Sequence, residues 1–135
     1  MLERRNIVKL DEIVAELETA TDASRALDAA IGKIIGYRRK VEYRKNVRTG
    51  EPIRKVFWVV PSGDDYVRMP AFTGKLDAAF ELARMLGNDC EVGVSWVEGT
   101  ATAGVGSGEY CCGATPPIAV CIAALKCRLS KNHEV

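Results

Sequence analysis

Between residues 38 and 55 the chain carries Arg38, Arg39, Lys40, Arg44, Lys45, Arg48, Arg54 and Lys55, opposed only by Glu42 and Glu51. Guanidinium groups grip phosphates through paired N–H donors, and clustered cations raise the local positive potential. The chemistry such a cluster suits is the capture of an anion: a diphosphate, or the backbone of a nucleic acid. The 135-residue chain has a formal net charge of only +1, so this potential is local and not a property of the whole surface. Arg38, Arg39, Arg44 and Arg54 are the candidate ligand-binding cations. Tyr37 and Tyr43 lie beside them and could stack on a base. The same charges also suit a solubilising edge hairpin, because lysine and arginine on an exposed strand discourage edge-to-edge pairing.

Two other places could touch a ligand. At Phe72-Thr73-Gly74-Lys75 an extended segment gives way to a helix. There Thr73 is the expected N-cap, and a solvent-facing Phe72 could cover a planar ring while Thr73 or Lys75 reaches its polar groups. The competing reading is a hydrophobic staple, with Phe72 packed back onto the helix. At Gly113-Ala114-Thr115 a Gly-rich stretch, residues 103–108, leads towards the last helix. Thr115 is its expected cap and a possible phosphate contact, since free amides at a helix start form an anion site. No Walker lysine follows, so the stretch reads better as a mobile hairpin loop, with closure over a ligand as the alternative.

Catalytic chemistry has little to work with. No Ser-His-Asp set or carboxylate pair is evident, and the lone histidine, His133, sits in a polar tail. Cys90, Cys111, Cys112, Cys121 and Cys127 form no CxxC pair, so neither a zinc site nor a cofactor is expected. The expectation is a non-enzymatic protein without catalytic residues. The longest apolar run, Ile118 to Leu125, is too short to span a bilayer. The first residues do not read as a signal peptide, which makes a cytoplasmic setting the expectation.

The elements that must position these groups follow from periodicity. Leu10, Ile13, Val14 and Leu17 mark a helix over residues 8–20, and Leu27, Ile31, Ile34 and Ile35 mark a second ending at Gly36. From Lys40 the period becomes two. Val41 and Tyr43 alternate with charged residues, and Val56 to Val60 is the partner strand. Tyr66 to Met69 is a short extra strand. Leu76, Ala79, Phe80, Ala83 and Leu86 give a third helix with a stop at Gly87-Asn88. Strands are expected over Glu91–Glu98, Ala101–Ala103 and Glu109–Cys112. A last helix runs from Pro116 to Leu129, with Ile118, Ile122, Leu125 and Leu129 as its stripe. The whole predicts one α+β domain over residues 1–135. It is a layered α/β/α-type sandwich with an antiparallel sheet, an N-terminal helical hairpin, a basic β-hairpin and a C-terminal helix.

Three segments in this order resemble the phage ABA-sandwich domain family. They are Ser24-Arg25-Ala26-Leu27-Asp28-Ala29-Ala30-Ile31 ending in Gly36-Tyr37, then Phe72-Thr73 leading into Leu76-Asp77-Ala78-Ala79, and Ala114-Thr115-Pro116-Pro117 running to Lys126. The resemblance extends distantly to the phage Thoeris anti-defence proteins that sequester cyclic ADP-ribose-type signals, some of which also hold cyclic oligonucleotides. It implies a homo-oligomeric sponge in the cytoplasm of an infected bacterium, binding a small phosphorylated nucleotide signal and doing no chemistry on it. The basic hairpin and the Gly-rich loop lie outside the shared pattern. They leave open a nucleic-acid-binding accessory protein, or a structural or regulatory prophage protein.

Overall fold

Apolar spacing sets the helices. The computed structural model describes residues 4–87, 91–106 and 109–133. Helix α1, Arg4–Thr19, buries Leu10, Ile13, Val14 and Leu17 and leaves Glu12 and Glu16 outside. Helix α2, Arg25–Ile35, starts at Ser24, whose hydroxyl accepts from the Leu27 amide at 3.2 Å. It ends at Gly36, where φ is 110°, a left-handed conformation that costs glycine little and other residues much.

Strand β1, Arg38–Lys45, and β2, Pro52–Val59, form an antiparallel ribbon in which Arg38 faces Val59 and Lys45 faces Pro52. Strand β3, Tyr66–Val67, pairs only with Trp58 and Val59 at the ribbon's base. Helix α3 covers Leu76–Gly87, so its C-terminal glycine agrees with the expected stop; Asn88, and Cys90 beyond it, lie outside the described residues. Strands β4, Val92–Val97, β5, Thr100–Val105, and β6, Cys111–Gly113, make a second antiparallel sheet in that order. Helix α4, Pro116–His133, completes the chain.

The α+β class and the antiparallel pairing agree with the sequence. The strands, however, divide between two three-stranded sheets. After two residues of β3 the chain turns away through Pro70 towards α3, so the first sheet ends there. At the centre lies α4, against α1 and α3 on one side and the β4–β6 sheet on the other. Every residue from Ile118 to Leu125 is buried, not a single stripe, as befits a helix enclosed on all sides. The sheet approaches closely: a Cβ added at Gly113 would lie 2.8 Å from the Ala119 nitrogen. The β1–β2 ribbon, by contrast, makes its extended contacts with β3 alone. Among the described residues no helix is long and apolar enough to cross a membrane.

Candidate anion-binding cleft

A buried carboxylate ties the ribbon's base to the helical core. Asp28, on α2, is 1% exposed, and so is Thr73. One Asp28 oxygen accepts from the Thr73 amide at 2.8 Å and from its hydroxyl at 2.7 Å. The other Asp28 oxygen pairs with Arg25 Nη1 at 2.9 Å, and Arg25 Nη2 donates to the Met69 carbonyl at 2.8 Å. The Ser24 amide donates to the Thr73 hydroxyl oxygen at 2.9 Å, and the Cys121 thiol of α4 donates to the Phe72 carbonyl at 3.1 Å. Burial of these polar groups is tolerable because each has its partner. The start of α2, the turn before α3 and the middle of α4 are thereby held together.

This arrangement revises the role expected of Thr73. Helix α3 begins at Leu76; the Gly74 and Lys75 amides bond to the Ala71 carbonyl, and the Ala79 amide to that of Lys75. Thr73 precedes the helix, and its hydroxyl is drawn to the Asp28 carboxylate, a stronger acceptor than a cap would need it to be. Phe72 is 1% exposed, in edge-on contact with Tyr37 at 6.5 Å between ring centroids. Packing therefore prevails over the solvent-facing Phe72, which reaches the surface only where it lines the second of two clefts beside Arg25, and the Thr73 hydroxyl is taken up by Asp28.

Arg25 is the residue this joint presents to solvent. Its guanidinium is fixed by Asp28 and Met69, yet the side chain stays 63% exposed. A guanidinium has five N–H donors, so several remain for a ligand. Two clefts open on either side of Arg25, Arg68 and Met69. The first, of about 580 Å³, lies where β3 leaves β2 and is lined by Arg25, Lys55, Trp58, Tyr66 and Arg68 along with neighbouring apolar groups. No carboxylate lines it. The second, of about 680 Å³, is lined by Arg25, Arg68, Tyr37 and Lys75 but also by Asp77 and Glu81. Burial, then the Glu81 charge, pushes the Tyr37 phenol up, so it stays a neutral donor. Both volumes fall in the range of small-molecule sites.

The other expected cations are placed differently. Strand alternation sends Arg38 and Arg44 to one face of the ribbon and Arg39 and Arg54 to the other. Arg44 pairs with Glu42 at 3.2 Å and Arg38 donates to the Gly63 carbonyl at 3.0 Å. None of these four lines either cleft, whereas exposed Lys75 lines the second. Thr115 does cap α4: the Ile118 amide donates to its hydroxyl oxygen at 3.4 Å and the Ala119 amide to its carbonyl at 3.0 Å. The anion site expected there is not formed, because Pro116 and Pro117 have no N–H and the next two amides are taken. The Gly-rich residues 107 and 108 lie outside the described residues.

Arg25, Lys55, Trp58, Tyr66 and Arg68 are cleft residues that sequence reasoning missed as ligand contacts. Arg25 had a signal, an Asp three positions on at the start of a helix; Arg68, outside the charge run, had none. Two thiols are quiet: burial pushes both Cys121 and Cys111 above the ordinary thiol range, away from the nucleophilic thiolate. Comparison with known proteins finds no matching family model, curated protein or solved structure.

Proposed function

We propose that this chain is a binding protein for a small, phosphorylated, planar ligand of the nucleotide class, held in the first cleft without chemical change. The observation that carries the reading is the lining of that cleft: Arg25, Lys55 and Arg68 with Trp58 and Tyr66, and no carboxylate. Arg25, fixed by Asp28 and Met69, supplies guanidinium donors already oriented for a phosphate, at little further entropic cost. Trp58 supplies a ring face for a base, while the Tyr66 ring, stacked on Phe57 with Lys40 over it, forms part of the cleft wall.

The resemblance to the phage ABA-sandwich family gives this ligand a setting: a nucleotide immune signal of the cyclic ADP-ribose type, or a cyclic oligonucleotide, sequestered in the cytoplasm of an infected bacterium. Assembly into an oligomer belongs to the same reading. Strand β4, an edge strand without charge that leaves Trp96 and Val97 exposed, is where a second copy would pair.

The test is retention. The protein is incubated with cyclic ADP-ribose isomers and cyclic oligonucleotides, freed of unbound ligand, then heated, and what it releases is identified. Intact ligand recovered only after denaturation is the expected result. Degraded ligand would make the protein an enzyme, and no retention of any panel member would remove the reading.

A further inference from the structure

The ribbon has two faces of different character: one carries four cations with Glu42, and the other carries three cations with no carboxylate, none of these three lining the first cleft. On the face carrying Arg38, Lys40, Glu42, Arg44, Lys55 and Phe57, the charges of Arg38, Lys40, Glu42 and Arg44 are already answered. Arg44 pairs with Glu42, which also accepts from the Tyr66 hydroxyl at 3.2 Å. Tyr66 stacks on Phe57 at 5.3 Å, with Lys40 over the Tyr66 ring and Arg44 over the Phe57 ring. The opposite face carries Arg39, Tyr43, Lys45 and Arg54, with Tyr43 directly across from Arg54. The carboxylate within the strands, Glu42, projects the other way by alternation. Among the described residues Arg39, Lys45 and Arg54 make no ion pair. The Tyr43 ring is 72% exposed between them.

We propose that this second face of the β1–β2 ribbon is a binding surface for single-stranded nucleic acid. Arg39, Lys45 and Arg54 take the phosphates, and Tyr43 stacks on an unpaired base. An exposed tyrosine flanked by cations is a stacking platform, and stacking requires a base that is free of a partner. Extended strands place residues two apart at roughly 6.6 Å, which spaces the cations along a strand's backbone. A duplex offers its phosphates but not its base faces. Trp58 of the cleft lies on this face, across from Arg39, but Arg39, Tyr43, Lys45 and Arg54 line no part of the cleft, so variants at these four positions test this surface apart from the nucleotide reading.

Fluorescence anisotropy with a labelled 20-nucleotide single strand, and with the matching duplex, tests it. The single strand should bind more tightly than the duplex. Neutralising about three phosphates predicts a log–log salt slope of about −2, or roughly a 16-fold loss from 50 to 200 mM salt. Arg39→Glu with Arg54→Glu should abolish binding. Tyr43→Ala should weaken the single strand by about fivefold or more and leave the duplex unchanged, given stacking energies of about 1–3 kcal/mol. Arg38→Ala, on the other face, should have no effect beyond a factor of about two. These are exposed positions, and an unchanged melting curve shows that each variant folds. No binding at 50 mM salt overturns the proposal. So does equal loss on both faces, or a Tyr43→Ala variant that binds the single strand as wild type.

Discussion

The two three-stranded sheets differ in where their side chains find partners. In the β4–β6 sheet, Ala101, Ala103, Val105 and Cys111 are buried, and the covering layer is α4, so close that Gly113 can have no Cβ. Its strands carry no charged residue. In the β1–β3 sheet most ribbon positions are exposed, and order on one face comes from cation–ring and ion-pair contacts along the strands. The first sheet is thus built as a surface and the second as a wall of the core. Between them stands the Asp28–Thr73–Arg25 joint, and the cleft opens where that joint meets the surface sheet. The core side holds Arg25 in place, and the exposed sheet supplies most of the cleft's remaining lining.

The largest effect should come from breaking the joint. Asp28→Ala leaves the buried Thr73 amide and the Arg25 guanidinium without their acceptor, and should cost about 2–4 kcal/mol in denaturant unfolding. Thr73→Val keeps the amide bond to Asp28 and should cost about 1–2 kcal/mol. If Asp28→Ala unfolds like wild type, the joint does not hold α2 to the turn before α3. Glycine substitutions sharpen the contrast at a smaller scale. Gly113→Ala drives a methyl into the α4 backbone and should cost about 1–3 kcal/mol. Gly50→Ala, in the ribbon turn, meets nothing within 4 Å but has φ +71°, so it should cost only about 1–2 kcal/mol of backbone strain. Equal destabilisation with a shifted ribbon alone would show that Gly113 does not set the sheet-to-helix distance.

The smallest expected effect is electrostatic. The Arg44 guanidinium, and after it the Tyr66 hydroxyl, hold Glu42 below the ordinary carboxylate range. A lowered folded pKa means that this contribution is complete above the unfolded value and is lost as pH falls through the folded one. An NMR titration should therefore show Glu42 protonating below the ordinary range, with Tyr66 and Arg44 signals moving in step. Arg44→Ala should bring Glu42 back up. A Glu42 titration at the ordinary value would mean that the charged face is not ordered.

The helices and strands of both sheets were legible because they rest on local periodicity and caps: Ser24, Gly36 and Thr115 act as their residue types suggest. The placement of the site was not, and the reason is pairing across the chain. Thr73 looks like a cap until Asp28, 45 positions away, is brought to it. The arginine run looks like one patch until the strand register splits it between two faces, and the cation of greatest interest, Arg25, gains its role from Met69 on another element. Charge counting located the ribbon; only tertiary contact located the cleft beside it.

Isothermal titration calorimetry of cyclic ADP-ribose-type nucleotides against the wild type, Arg68→Ala and the ribbon-face variant Arg39→Glu/Arg54→Glu tests the central claim most directly. At least one nucleotide should bind the wild type and the ribbon-face variant alike. The same nucleotide should bind Arg68→Ala about tenfold or more weakly, in line with about 1.5–3 kcal/mol for a charge-assisted hydrogen bond. Undiminished binding by Arg68→Ala, or loss only in the ribbon-face variant, would contradict the cleft as the site.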